Sequence, residues 1–248
     1  MKQVSLRAWE GTWLSAVFLS TRRIDRLWPD LVRAWNEEGL FDSGQAHVLN
    51  VSPERVSHRY LMETPNIPFL PEVAWQDGLG DLEAVLMGHV ATRLYLPTGA
   101  PDVGEVMVDV ILNHDDTVSV YVNVPCDEVC RGETTTIRQG RVDQFLAEAE
   151  RFFDPELFDI GTVGEEVQLY GPAQLAGGVD LVTDWAFYGA ALAGRLRAQA
   201  TDVKFRAREW RDIPGGGLFV RWADWDALPE VPDVWKGAVR TAVAEQLL

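Results

Sequence analysis

Hydrophobic and polar residues alternate along several parts of the chain with the two-residue period that is typical of β-strands. The clearest case is GEVMVDVILNHDDTVSVYVNVP (residues 104–125), in which two alternating runs flank residues 113–116. We predict a β-hairpin with its tip at those four residues, because Asn and Asp are preferred in tight turns. VSLRAWEGTWLSAVFLS (residues 4–20) predicts one or two strands around a turn at Gly11.

Shorter segments extend the strand prediction. VKFRAREW (203–210) and GLFVRWA (217–223) alternate like two strands joined through a glycine-rich turn, and EEVQLYG (165–171) has the composition of a further strand. DLEAVLMGHVATRLYL (81–96) begins like a helix and ends like a strand. TPNIPFLPE (64–72) holds three prolines and predicts an extended loop.

Apolar residues recur with the helical period in three longer segments. STRRIDRLWPDLVRAWNEEGLF (20–41) predicts a helix that stops at Gly39 and either kinks or begins anew at Pro29. IRQGRVDQFLAEAERFFDPELF (137–158) and PDVWKGAVRTAVAEQLL (232–248) predict two more helices. SPERVSHRYLM (52–62) predicts a short one, and GGVDLVTDWAFYGAALAGRLRAQ (177–199) predicts a turn followed by a buried segment that is helical at its end.

Helices and strands are interspersed, and the strands include hairpins. This order predicts an α+β fold with a mainly antiparallel sheet and flanking helices rather than a doubly wound parallel sheet. The 248 residues suffice for one large domain, and we expect a single domain spanning 1–248. A division into lobes 1–131 and 132–248, near the region between Gly132 and Gly140, is left open.

The composition narrows the classes of partner. The net charge is −16, so the chain repels phosphate backbones and favours cationic partners; we expect no direct binding to nucleic acid. No run of about 18 apolar residues appears, which predicts no membrane span. MKQVSLRAWEGTW at the N-terminus lacks an apolar run after its basic start, so we expect no signal peptide and a cytoplasmic protein.

The familiar catalytic and metal-binding motifs do not occur in the sequence. The four histidines do not fall at metal-ligand spacings, and Cys126 and Cys130 have no further ligands near them, so we interpret both as ordinary thiols. We therefore expect a protein that is not an enzyme, with no catalytic residues, no metal and no cofactor. One enzyme hypothesis stays open: a metal-dependent nuclease with Asp202-x-Lys204 on a strand and Asp180 or Asp184 upstream.

RWADWDALPEVPD (residues 221–233) fits neither the strand period nor the helix period. Trp222 continues the alternation of LFVRW, and we predict that it lies in the core. Trp225 stands between Asp224 and Asp226, where it either plugs the core or forms part of a contact surface.

Two parts of the chain resemble a known family. GGVDLVTDWAFYGA (177–190) and PGGGLFVRWADWDALPEVPDVWKGAVRTAVAEQLL (214–248) resemble the end of the immunity protein 52 family of polymorphic toxin systems. Members of that family tend to show a Gly-Trp-aromatic segment, a Pro/Gly turn, a strand and an alanine-rich final helix. WEGTWLSAVFLSTRRIDRLWPDLVRAW (9–35) is similar to the strand-then-helix opening of the family. The family's Gly-Trp pair is Asp184-Trp185 here.

The resemblance implies a cytoplasmic antitoxin, without enzymatic activity, that binds a basic, nuclease-type effector toxin of a secretion system. A non-catalytic scaffold subunit is the remaining alternative. An acidic and aromatic surface suits such a partner, because its charge steers a basic protein and its rings anchor it. The candidate toxin-binding residues are Asp224, Trp225, Asp226, Asp115, Asp116, Asp127, Glu128 and Glu133.

Overall fold

The computed structural model describes the chain in segments. They are residues 13–40, 47–51, 67–68, 91–96, 106–112, 117–125, 135–165, 167, 171–172, 175, 181–199, 202–225 and 227–248. Within this part, the α+β fold predicted from the sequence is confirmed.

The described strands form one sheet of ten strands, and every neighbouring pair runs antiparallel. The strand order across the sheet is β3-β2-β4-β5-β6-β1-β7-β8-β10-β9. The strands are β1 (Trp13–Ser20), β2 (His47–Val51), β3 (Ile67–Pro68), β4 (Ala91–Leu96), β5 (Val106–Leu112), β6 (Val118–Pro125), β7 (Ile160–Glu165), β8 (Trp185–Tyr188), β9 (Glu209–Ile213) and β10 (Gly217–Arg221).

The first strand joins the two halves of the chain. β1 pairs with β6 on one side and with β7 on the other, so the sheet continues across the boundary between 131 and 132. Its residues alternate between the two faces: Leu14, Ala16 and Phe18 enter one hydrophobic cluster, and Val17 and Leu19 enter the other. Both faces of this central strand are therefore buried.

Helices cover the two faces of the sheet. The described helices are α1 (Ile24–Glu37), α2 (Thr135–Glu150), α3 (Leu181–Asp184), α4 (Ala190–Gln199) and α5 (Asp233–Leu247). Buried side chains of α1 and α2 belong to the cluster that contains Phe18, and those of α4 and α5 belong to the cluster that contains Val17. We call these the first face and the second face of the sheet.

The first helix ends where the sequence predicts. Gly39 has a φ of 66°, a left-handed conformation that costs glycine little, and Leu40 donates its N–H to the carbonyl oxygen of Trp35 at 2.9 Å. Pro29 lies inside a single helix, so the helix does not begin anew there.

Most of the other predicted elements are confirmed. The strands of the 104–125 hairpin, the strand that ends at Leu96 and the helices α2 and α5 are present, and Trp222 is buried in the core. The helix predicted for 52–62, the helical start of 81–96 and the hairpin tip at 113–116 lie outside the described residues, and so do Cys126 and Cys130.

Several predictions are modified by the structure. A strand covers Ile160–Glu165 and overlaps the strand expected at 165–171 only at its last residue; residues 166 and 168–170 lie outside the described part of the chain. The buried segment before α4 contains a strand, Trp185–Tyr188, and part of the proline-rich loop, Ile67–Pro68, pairs with β2. VKFR was expected to be part of a strand, but Lys204–Arg206 forms a 3-10 turn and β9 begins at Glu209.

Candidate functional site

A cleft of about 810 Å³ opens on the first face of the sheet, where α1 and α2 face the hairpin of β9 and β10. Its floor is apolar and includes Trp35, Leu146, Phe153, Ile213 and Phe219. Ten charged side chains also line the cleft: Glu37, Glu38, Asp143, Glu150, Arg151, Asp154, Glu156, Glu209, Arg211 and Arg221. Seven carboxylates therefore face three guanidinium groups, which leaves the lining with a net charge of four negative units.

Antiparallel pairing places two arginines at one side of this cleft. Arg221 pairs with Trp185 of β8 on one side and with Glu209 of β9 on the other. Its guanidinium carbon lies 5.1 Å from the centre of the Trp185 ring, and its Nη2 lies 3.2 Å from a carboxylate oxygen of Glu209. Two positions along the same strand pair, Arg211 lies opposite Phe219, and its guanidinium carbon lies 5.4 Å from the centre of the Phe219 ring. Each arginine thus stacks on an aromatic ring of the sheet, an arrangement that suits its planar group.

Helix α2 supplies the carboxylates that complete the network. Glu150 accepts two parallel hydrogen bonds from Arg211, at 2.6 and 2.5 Å, and Asp143 accepts one from Arg221 at 2.6 Å. Glu209 accepts a further bond from Nε of Arg211 at 3.0 Å. The resulting chain of charges fastens α2 to the edge of the sheet.

The hydrogen bonds to Glu150 raise the pKa of Arg211 further above its usual value, against the lowering effect of burial, and Glu209 adds to the rise. Arg211 is therefore cationic at neutral pH. Its charge neutralises carboxylates of the cleft wall, so it is a structural cation rather than a titrating group.

Three carboxylates at the opposite side of the cleft have no such partner. Glu37 and Glu38 are exposed at the end of α1, and Glu156 is exposed in the loop after α2. No hydrogen bond or ion pair joins their carboxylates to another described residue. The remaining arginine of the lining, Arg151, pairs with Glu148 instead, at 2.8 Å. The cleft therefore has a neutralised wall at β9 and β10 and an anionic rim at Glu37, Glu38 and Glu156, which we call the acidic rim.

Replacing Arg221 with methionine should lower the free energy of unfolding by about 2 kcal/mol. The side chain is only 12% exposed, and its loss removes a cationic partner from Asp143 and from Glu209. Glu209 keeps its bond to Arg211, and the exposure of both carboxylates reduces the penalty. Chemical denaturation measures this change. Arg195→Met is the control, because the exposed Arg195–Glu245 pair should contribute about 0–1 kcal/mol. Equal losses in the two variants would show that the network does not stabilise the fold.

The predicted contact residues near the C-terminus lie beside this network. The Asp224 carboxylate is 41% exposed and accepts a hydrogen bond from Nε of Arg208 at 3.1 Å. Trp225 is half-buried. Its ring packs edge-on against the ring of Trp185, with the centroids 5.5 Å apart, and its backbone N–H donates to Oε1 of Gln139 at 2.7 Å. Trp225 is therefore partly a core residue and partly surface.

The other predicted contact residues lie outside the described residues. They are Asp226, Asp115, Asp116, Asp127, Glu128 and Glu133. The structure therefore brings Asp224 and Trp225 together and leaves the position of these six acids as a prediction.

The residues of the nuclease hypothesis are arranged differently from the prediction. Asp202 is exposed before the 3-10 turn, and Lys204 lies in that turn with its Nζ 5.0 Å from the ring centre of Phe205, so the expected acid-x-Lys strand is wrong here. Asp184 ends α3, and Asp180 lies outside the described residues. Across the described segments, no group of three or more His, Cys, Asp or Glu side chains could hold a metal ion.

The cleft was not predicted, although the sequence spacing of some residues in and beside it indicates which of them share a face. Gln139, Asp143 and Glu150 are separated by four and seven residues, which places them on one face of a helix. Glu209 and Arg211 are two apart and share one face of a strand. The spacing shows which side chains share a face, but only the antiparallel register shows that the two sets meet.

Comparison of the chain with protein-family models, with curated proteins and with solved structures gave no match. In the part of the chain that the structure describes, no helix has the length and apolar character needed to cross a membrane.

Proposed function

We propose that the chain is an immunity protein that binds a basic toxin domain through the cleft between α1, α2 and the β9–β10 hairpin. The observation that carries the proposal is the acidic rim, three exposed carboxylates that pair with no residue in the described segments, set beside an apolar floor. A lysine or arginine of a partner can pair with such carboxylates while its aliphatic stem packs on apolar surface.

The charge of the whole chain supports the same partner class. A net charge of −16 attracts a cationic protein and speeds its encounter with the cleft. A toxin that cleaves nucleic acid presents a basic groove to its substrate, and an acidic protein that fills this groove competes with phosphate. The resemblance to the immunity protein 52 family implies the same kind of partner, a basic, nuclease-type toxin domain. We propose that the two proteins meet in the cytoplasm.

Asp224 and Trp225 extend the proposed surface. The Asp224–Arg208 pair is exposed on both sides and therefore weak, so a cationic partner can replace Arg208 at little cost. Trp225 offers a ring that packs against Trp185, and its backbone N–H is held by Gln139. A fixed, half-exposed tryptophan beside carboxylates is typical of an interface anchor.

Co-expression tests the function. The C-terminal domain encoded by the neighbouring gene is induced in a test bacterium with and without this chain, and growth and co-purification are followed. We expect toxicity without the chain, and rescue with a stable complex when it is present. A harmless neighbour, or a toxin that the chain does not neutralise, would contradict the proposal; a complex without rescue would instead favour the scaffold alternative.

Reversing the acidic rim tests the site. The double variant E37K/E38K should weaken binding of the toxin at least about tenfold, because two attractive charges become repulsive. Lysine at the end of α1 suits the helix dipole, so the fold should be preserved. D202K/E230K makes the same change of charge at two exposed positions away from the cleft. Calorimetric affinities that fall equally in both variants would point to overall charge rather than to the cleft.

A further inference from the structure

A basic and aromatic protrusion stands out on this acidic chain. Lys204, Phe205 and Arg206 form a single 3-10 turn between α4 and β9, and all three are exposed. Phe205 is 83% exposed, with only the Lys204 ammonium stacked on its ring at 5.0 Å. No described carboxylate pairs with Lys204 or Arg206. We call these three residues the basic tip.

The base of the tip is held firmly, so the exposure is a property of the fold. Val203 is buried in the hydrophobic cluster on the second face of the sheet, and its carbonyl oxygen accepts the N–H of Arg206 at 2.9 Å. On the other side of the tip, Ala207 is partly buried and packs against the same cluster. An exposed aromatic ring between two unpaired cations is the composition of an interface anchor, in which aromatic residues and arginine are enriched.

We propose that the basic tip docks into the cleft of a second copy of this chain. The cleft offers the matching chemistry: the acidic rim for Lys204 and Arg206, and the apolar floor for Phe205. The tip does not reach the cleft of its own molecule, because Val203 anchors it on the second face and the cleft lies on the first face. Nucleic acid is a poor alternative partner, since the chain as a whole carries a net charge of −16.

The proposed contact joins two different surface patches, the basic tip of one copy and the cleft of another. It either closes a dimer, when each tip enters the other cleft, or extends from copy to copy. The repulsion between two anionic molecules acts over distance and is screened beyond about 8 Å at physiological ionic strength. The local attraction between tip and rim is therefore not cancelled by the net charge. The inference concerns the purified chain alone and does not depend on the proposed toxin.

Sedimentation velocity over a range of protein concentrations, at physiological ionic strength, tests the proposal. The average mass of the wild-type chain should rise with concentration. Reversing the tip in K204E/R206E, or the rim in E37K/E38K, should weaken association about tenfold or more. The control R26E/R240E reverses two exposed arginines outside the cleft lining and should associate like the wild type.

A mixture of the two reversed variants is the decisive sample. K204E/R206E offers an acidic tip and E37K/E38K offers a basic rim, so association should return in the mixture although each variant alone associates weakly. Phe205→Ala should also weaken association, whereas Leu228→Ala, which removes another exposed apolar side chain, should not. A wild-type chain that is monomeric throughout, variants that associate normally, or a mixture that does not associate would each overturn the proposal. Circular dichroism confirms that the variants compared are folded.

Discussion

Replacing Phe18 with alanine should lower the free energy of unfolding by about 3–5 kcal/mol. Phe18 lies in the central strand and is fully buried. Its ring contacts three other phenylalanine rings, Phe153 at 5.1 Å, Phe187 at 5.4 Å and Phe158 at 5.5 Å between centroids. Truncation removes the partner of all three rings and leaves a cavity that strands held on both sides are poorly able to close.

Loss of the Phe18 ring should affect the candidate site as well as the core. Phe153 lines the cleft and packs on Phe18 and Phe187, so the floor of the cleft depends on the same aromatic cluster. We therefore expect Phe18→Ala to weaken the binding of any ligand in the cleft, in addition to lowering the free energy of unfolding. Phe18→Leu, which keeps most of the apolar volume, should cost much less.

Chemical denaturation followed by tryptophan fluorescence measures the change in stability. Phe205→Ala is the matched control, because the same substitution at an 83% exposed position should change stability by less than about 0.5 kcal/mol. Similar losses at positions 18 and 205 would contradict the packing described for the central strand.

Segments with a strong period were predicted well because one face of each is apolar. In β6, Val118, Val120, Val122 and Val124 all point to the first face, and the alternation is plain in the sequence. The apolar face of α2 is equally clear in its spacing. Here the local pattern and the tertiary environment agree, so the pattern predicts the structure.

Two of the strands, β8 and β7, were missed for different reasons. β8 is buried on both faces, with Trp185 and Phe187 in one cluster and Ala186 and Tyr188 in the other, so it shows no alternation and was taken as part of a buried segment. β7 contains two glycines, which disfavour strands. Gly161 is accommodated there because the ring of its cross-strand partner Phe18 occupies the space above it.

The basic tip shows how alternation can mislead. VKFRAREW reads as a strand, yet Lys204 and Phe205 are both exposed and only Val203 of the first three residues is buried. The charges were counted in the composition, but their position on a protruding turn depends on the tertiary structure. The cleft is similar, because its lining comes from α1, α2 and the β9–β10 hairpin, which are far apart in the chain.

Replacing Gly189 with alanine should destabilise the protein by about 3 kcal/mol. A Cβ atom at this position would lie 2.0 Å from the carbonyl oxygen of Phe158 and 3.1 Å from that of Asp159. These are backbone atoms, so rotation of a side chain cannot relieve the clash. The N–H of Gly189 also donates to Asp159 at 2.8 Å, which holds the two segments at this close approach.

The segment around Phe158 has little freedom to move away from the added methyl group. Ser20 donates its hydroxyl to the carbonyl oxygen of Leu157 at 2.7 Å, and Asp159 donates its N–H to that of Leu19 at 2.9 Å. Relief of the clash therefore requires breaking bonds to the central strand or displacing the start of α4. For this reason we expect Gly189→Ala to lower the free energy of unfolding strongly.

Gly194, inside the helix α4 that begins directly after Gly189, is the control. Nothing lies within 4 Å of a Cβ added there, so Gly194→Ala should stabilise the protein by about 0.5–1 kcal/mol through helix propensity alone. Equilibrium denaturation of the two variants should thus give changes of opposite sign. A loss at both positions would mean that an added methyl group destabilises this part of the chain whether or not it meets a backbone atom, and the close approach at Gly189 would then not be the cause.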